Sequence, residues 1–282
     1  MALTGVEPYI GLAFLGVAIG AYGTLIGAGG GFVLMPLLIL LYPHESPQVL
    51  TAISLAVVFF NAASGTSAYA RMRRVDYRSG LMFAAAAVPG AVVGALNTTL
   101  VSRSRFDLIF SIVILGVALA MMVRPRLEHR PRPRGKLSRF EVTRRLVQAD
   151  GTRVSYTFYP IIGVVLSFFV GYFSSFLGIG GGIIHVPALV WFLHYPVHIA
   201  TATSHFILAI MALAGTLVHI FLGSLHHQWL RTGALAVGVL AGAQVGAYLS
   251  NRVDSAWIIR SLALALAVVG VRILLTGLGI WG

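Results

Sequence analysis

With 282 residues, 58% of them hydrophobic and only 10% charged, the chain holds far less charge than the roughly 25% of a soluble domain, which excludes a water-soluble fold. It has no cysteine, so disulfides, thiol catalysis and cysteine-based metal sites are excluded too. The formal charge of +12 invites a nucleic-acid reading, but ten of the twenty Lys and Arg lie between Arg124 and Arg153 and four between Arg71 and Arg78. Such clusters beside apolar runs mark cytoplasmic loops and favour lipid headgroups over nucleic acid.

No basic n-region opens the chain, so a cleaved signal peptide is not expected. The first apolar run, about 9–42, contains "GAGGGFVLMP" at Gly27 to Pro36. An unbroken helix of about 32 residues would be about 48 Å long, against a hydrocarbon core of about 30 Å, so a break is predicted at the glycines. Runs at about 48–70, 79–99 and 106–123 follow. The stretch 124–157 is a basic linker rather than a span. "RPRLEHRPRPRGK" is expected to be extended, and "RRLVQADGTRVSYTF" reads either as a β-hairpin turning at Asp150-Gly151 or as a loop. A second long run, about 158–194, contains "GIGGGIIHVP" at Gly178 to Pro187, and runs at about 198–222, 231–250 and 255–277 complete the chain.

The two glycine tracts align at an offset of 151, and the agreement continues. Ser54 meets Ser204, Gly65-Thr66 meets Gly215-Thr216, and "PGAVVGA" at Pro89 to Ala95 meets "AGAQVGA" at Ala241 to Ala247. The fold class expected is an all-α polytopic membrane protein. About eight transmembrane helices form two homologous four-helix repeats, 1–123 and 158–282, with helices one and five broken at their glycines. The Lys- and Arg-rich loops follow helices two, four and six and belong in the cytoplasm. Eight crossings then put both termini there. If each tract instead turned back as a re-entrant hairpin, each half would cross an odd number of times and the halves would be inverted; a single broken crossing is the preferred reading.

Every acidic residue lies at a helix end or in a loop, which argues against a cation pathway, since such pathways keep carboxylates in the membrane. The interior offers neutral donors instead. Backbone N–H groups at Gly29, Gly30, Gly31, Gly180, Gly181 and Gly182 can approach an anion closely. Hydroxyl, amide and imidazole groups of Ser54, Asn61, Thr66, Thr203, Ser204, Thr216, His185 and His205 complete a candidate oxyanion cradle. "PGAVVGA" and "AGAQVGA" are expected to pack helices, and His219 to lie at a membrane edge. A titrating imidazole, His185 or His205, is the candidate proton carrier. No P-loop, HExxH or paired catalytic carboxylates occur, so neither an enzyme, a cofactor nor a metal is expected.

The doubled GxGGGxxxxP, with "ATATS" at Ala200 to Ser204, resembles the TauE/SafE sulfite exporter family, grouped with toluenesulfonate uptake permeases, over about Pro8 to Leu275. The resemblance implies a secondary transporter in a prokaryotic cytoplasmic membrane. It would move a small sulfur-containing anion such as sulfite or an organosulfonate like sulfoacetate. Membrane lipids surround it, and a homo-oligomer remains open. Leu34, Met35 and Leu55 stand where the second half has His185, Val186 and His205, so an asymmetric site is expected. An anion channel, or a membrane subunit docking a soluble partner through the linker, are the rival readings.

Overall fold

Peptide groups in hydrocarbon must bond internally, so the apolar runs become helices. The computed structural model describes residues 7–123, 140–250 and 255–280. Among them are ten helices: α1 (Glu7–Ile26), α2 (Gly31–Leu41), α3 (Pro47–Arg71), α4 (Tyr77–Asn97), α5 (Arg103–Val123), α6 (Pro160–Leu177), α7 (Gly182–Leu193), α8 (Val197–Phe221), α9 (Trp229–Leu249) and α10 (Ser255–Gly277). Six described helices, α1, α3, α4 with the 3₁₀ turn after it, α6, α8 and α9, are long and apolar enough to cross a membrane. Caps set several starts: Ser46 accepts the Val49 N–H before Pro47, and Asp76 accepts the Ser79 N–H at 3.2 Å.

Both glycine tracts reverse the chain. Gly27, Gly29 and Gly30 all have positive φ, 86°, 75° and 80°. The Ala28 N–H returns to the Gly23 carbonyl at 2.8 Å, an αL cap of the kind that ends a helix. The next two left-handed residues then swing α2 back along α1, bringing the Phe32 ring within 6.4 Å of Tyr22. The far end of α2 returns to the face where α1 begins. There Glu45 meets Arg231 at 3.4 Å, and Arg103 donates to the Glu45 carbonyl at 2.7 Å. These arginines open α9 and α5.

The second tract repeats the device, with φ of 67°, 76° and 48° at Gly178, Gly180 and Gly181. α7 runs back along α6, so that Leu193 lies against Gly163, and the His185 and Ser167 side chains are 3.2 Å apart. The single broken crossing is therefore corrected. A kinked but continuing helix would need one left-handed cap; three such residues in four positions turn the chain round. Six described helices of membrane-crossing length, rather than eight, are found, α1 and α6 among them, and α2 and α7 are shorter apolar helices that return from the turns.

The halves interlock. α9 lies parallel to α1 with its Gly238, Gly242 and Gly246 against Ala13, Val17 and Ala21, and α4 lies parallel to α6 with Gly90 and Gly94 against Phe168 and Tyr172. A Cβ at any of these glycines would land on backbone, so "PGAVVGA" and "AGAQVGA" are close-packing seams. α3 and α8 cross antiparallel between them, bringing Gly65 to His205 and Leu55 to Gly215.

The chain is not wholly helical. β1 (Val142–Val147) pairs antiparallel with β2 (Arg153–Phe158), from Val142 opposite Phe158 to Val147 opposite Arg153. Asp150 accepts the Thr152 N–H in the turn at 2.9 Å. The hairpin is fastened over the α3–α4 connection. Ala149 N–H donates to the Met72 carbonyl at 3.1 Å, Arg74 to Gln148 at 2.9 Å, and Tyr156 to Asp76 at 2.8 Å.

Asp76 is 4% exposed and also accepts the Tyr195 hydroxyl at 3.3 Å. Replacing it with alanine removes a helix cap and the carboxylate to which two buried phenols donate, at an expected cost of about 2–4 kcal/mol, readable as a lowered melting temperature in detergent. Desolvation raises both phenol pKa values above the ordinary 10.0, with Asp76 a further cause at each. The contribution of the two neutral phenols is thus fully present just below pH 10. Above it the unfolded phenols ionise first and stability falls.

Candidate functional site

The two glycine turns meet each other, tip to tip. A Cβ on Gly31 would lie 2.7 Å from the Ile179 carbonyl carbon, and one on Gly182 would lie 2.6 Å from the Gly27 oxygen. The contacts are reciprocal, since Ala28 and Ile179 also stand 151 positions apart. Gly180 presses on Val58 and Gly29 on Leu208, residues about halfway along α3 and α8. The crossing of the tips thus sits at mid-depth.

This placement changes what the glycines do. The Cα faces of Gly29, Gly31, Gly180 and Gly182 are covered by protein, which makes them the condition for two backbones to cross. Gly30 is covered too, by Ile19 at 2.9 Å, but a Cβ there would also lie 3.5 Å from the Asn61 amide nitrogen. Gly181 faces Met211 and Ser174.

Beside Gly30 a polar group assembles. Thr24 donates to the Asn61 side-chain oxygen at 3.1 Å, and Tyr69 donates to the Thr24 carbonyl at 2.9 Å. The Tyr69 ring lies 5.4 Å from His205. A point one bond from Gly65 is 3.1 Å from both His205 Nε2 and the Thr24 methyl. Thr24, Asn61 and His205 are each 0% exposed, yet Asn61 Nδ2 and His205 Nε2 have no partner. A buried donor left unpaired costs about 1–3 kcal/mol, so such atoms mark a place where something else can bind. Since His205 Nδ1 is 3.2 Å from the Thr201 carbonyl, it carries the hydrogen, and Nε2 presents a lone pair.

The other candidates scatter. Ser54 donates to the Gly178 carbonyl, tying α3 to the second turn. Its counterpart Ser204 is fully buried and unpartnered. Thr216 returns its hydroxyl to the Ala212 carbonyl at 2.7 Å, while Thr66 Oγ1 has no partner. Thr203 is not at the tips; its Oγ1 accepts the Asp76 N–H at 3.1 Å on the hairpin face. His185 sits between α6 and α7, its Nδ1 unpartnered. His219 lies in the last turn of α8 and is fully buried.

Three partners in the polar group were not singled out as site residues: Thr24, Gly65 and Tyr69. Thr24 and Gly65 lie a few residues from the first tract and from Asn61, and were readable in principle as neighbours. Tyr69 carried no signal, because its role depends on α3 passing beside the end of α1. The equivalent place in the second half carries the buried hydroxyls of Ser174 and Ser175, with Leu55 and Met211 where the first half has His205 and Asn61. There Gly215 faces Leu55 and Ser175, and Gly181 faces Met211.

Comparison with known proteins agrees in extent with this architecture. Residues 12–273 match the model of the family described as "Sulfite exporter TauE/SafE". The chain is 31% identical over 276 residues to a "Probable membrane transporter protein YunE" of Bacillus subtilis, covering 96% of this chain and 98% of that protein. It is 26% identical over 255 residues to a "Probable membrane transporter protein" of Xylella fastidiosa, covering 88% of this chain and 87% of the relative. An archaeal relative from Methanocaldococcus jannaschii, also named a probable membrane transporter protein, is 22% identical over 214 residues, 74% of this chain and 71% of its own. No solved structure matches the chain.

Proposed function

The chain belongs to the sulfite exporter TauE/SafE family, and from that premise we propose that it is a secondary transporter of a small oxyanion, sulfite or an organosulfonate such as sulfoacetate. The two re-entrant hairpins act as the broken elements that hold substrate between two inverted repeats, an arrangement transporters use for alternating access. Asn61, Thr24 and His205 form the anion site beside Gly30, with Ser204 on the same helix as His205. The observation that carries this reading is the pair of unpartnered buried atoms, Asn61 Nδ2 and His205 Nε2, beside the first tip. Asn61 donates to the anion. His205 takes the coupling proton on Nε2 and then becomes a donor as well.

Orientation follows from charge. The hairpin face carries Arg71, Arg73, Arg74 and Arg78 with Arg144, Arg145 and Arg153 of the β-hairpin, against Arg103, Arg105 and Arg231 on the other. By the positive-inside rule the hairpin face is cytoplasmic. Because each half crosses three times, both termini then lie outside, opposite to the eight-crossing expectation.

The test is purified protein in liposomes, assayed for uptake of sulfite, sulfoacetate, thiosulfate, sulfate and chloride with and without a pH gradient. Saturable flux of a sulfur oxyanion with counterflow is expected, with a rate that follows the imposed gradient. Flux linear in substrate, or equal for chloride, would replace the carrier by a channel.

A further inference from the structure

On the hairpin face a cavity of about 530 Å³ opens between α3, α9 and the β1–β2 turn, lined by Ala68, Arg71, Arg74, Gln148, Asp150 and Gln244 among others. Arg71 donates to the Gln244 side-chain Oε1 at 3.1 Å, and the Gln244 side-chain Nε2 donates to the Ser64 hydroxyl at 2.8 Å. On α3, Asn61, Ser64, Ala68 and Arg71 follow one another at spacings of three, four and three, which places them on one helix face. That face runs about 15 Å from the cavity to the buried polar group. Tyr69, next to cavity-lining Ala68, closes the inner end with its bond to the Thr24 carbonyl.

The chain contains its own comparison. With the two halves aligned, Arg71 corresponds to Phe221, Met72 to Leu222, Gln244 to Val92 and Tyr248 to Leu96. Phe221 is 87% exposed, and Leu222 and Leu96 are exposed as well. The same helix geometry is therefore built with apolar residues at the opposite face, and the polar lining is no requirement of the fold. Two arginines against one aspartate leave net positive charge in a space far larger than one water, which occupies about 30 Å³.

We propose that this cavity is an outer binding site for a hydrated small oxyanion, from which substrate passes along α3 to the buried site; the substrate class rests on the transporter reading above. Arg71 and Arg74 concentrate the anion, Gln244 holds Arg71 over the entrance, and Tyr69 separates the outer site from the inner one. A lipid phosphate offers the same chemistry, so the test separates the two sources.

Sulfite flux is measured from each face in orientation-sorted liposomes of zwitterionic lipid, for Arg71→Gln, Arg71→Lys, Gln244→Val and the double variant Arg71→Gln, Arg74→Gln. Because Arg71 is exposed and makes one side-chain bond, Arg71→Gln keeps the fold even if the double variant loosens the hairpin. The expected result is a KM for sulfite about tenfold higher from the hairpin face only, with maximal rate within about twofold and partial rescue by Arg71→Lys. His205→Ala, in contrast, lowers flux from both faces, which separates failure of the outer site from failure of the inner one. An unchanged KM, or an equal change from both faces, overturns the outer site. An effect confined to liposomes containing phosphatidylglycerol assigns the cavity to a lipid headgroup and overturns the substrate site too.

Discussion

Gly182→Ala is expected to lower stability by about 3 kcal/mol or more, because the new methyl would sit 2.6 Å from the Gly27 carbonyl oxygen and 2.7 Å from the Ala28 Cα. Both obstacles are backbone, so no side chain can rotate out of the way, and overpacking of this kind costs about 1–3 kcal/mol even where relaxation is available. Gly116→Ala is the matched control. It lies in α5 with nothing within 4 Å of the added methyl, and alanine there favours the helix by up to about 1 kcal/mol. Thermal melting of the two purified variants in one detergent would show the difference. If Gly182→Ala melted with the wild type, the tip-to-tip crossing of the two hairpins would be wrong.

The largest functional effect is expected at His205. Exchanging it for alanine should reduce sulfite uptake about a hundredfold, the loss of about 2.7 kcal/mol of binding and proton transfer at the usual 1.36 kcal/mol per decade, and should flatten the pH dependence of what remains. The melting temperature should fall as well, because the buried ring packs on Tyr69 and its Nδ1 bonds the Thr201 carbonyl, so the flattened pH profile of the remaining flux carries the test. Asn61→Leu should cut uptake similarly while leaving the pH profile intact, which separates donor from proton carrier. His185→Ala should stay within about threefold, since that ring lies at the α6–α7 contact, 3.2 Å from Ser167. Equal losses at His185 and His205, both with altered pH profiles, would move the proton path to the second hairpin.

How legible these features were depends on their range. Helix ends at Ile26 and Leu177 follow from local chemistry, because glycine at positive φ stops a helix wherever it occurs. The seams were equally readable, since small residues every fourth position demand a close partner. The direction after each break was not. Whether a chain kinks or reverses depends on the number of left-handed residues in succession, and composition alone does not assign φ to each glycine. Asp76 shows the same limit: it read as a loop carboxylate, and only the hairpin's return through Tyr156 makes it a buried anchor. The polar group around Asn61 joins α1, α3 and α8, so its membership required the fold, while the asymmetry between His205 and Leu55 was visible once the halves were aligned.

The crosswise seams have a mechanical consequence. α1 belongs to the first half of the chain but is clasped by α9 of the second, and α6 of the second half is clasped by α4 of the first. Any rigid bodies that rock against each other are therefore stitched from both ends of the polypeptide. Cutting within 124–139 would yield two fragments that each display an uncovered glycine groove, able to assemble only by finding one another.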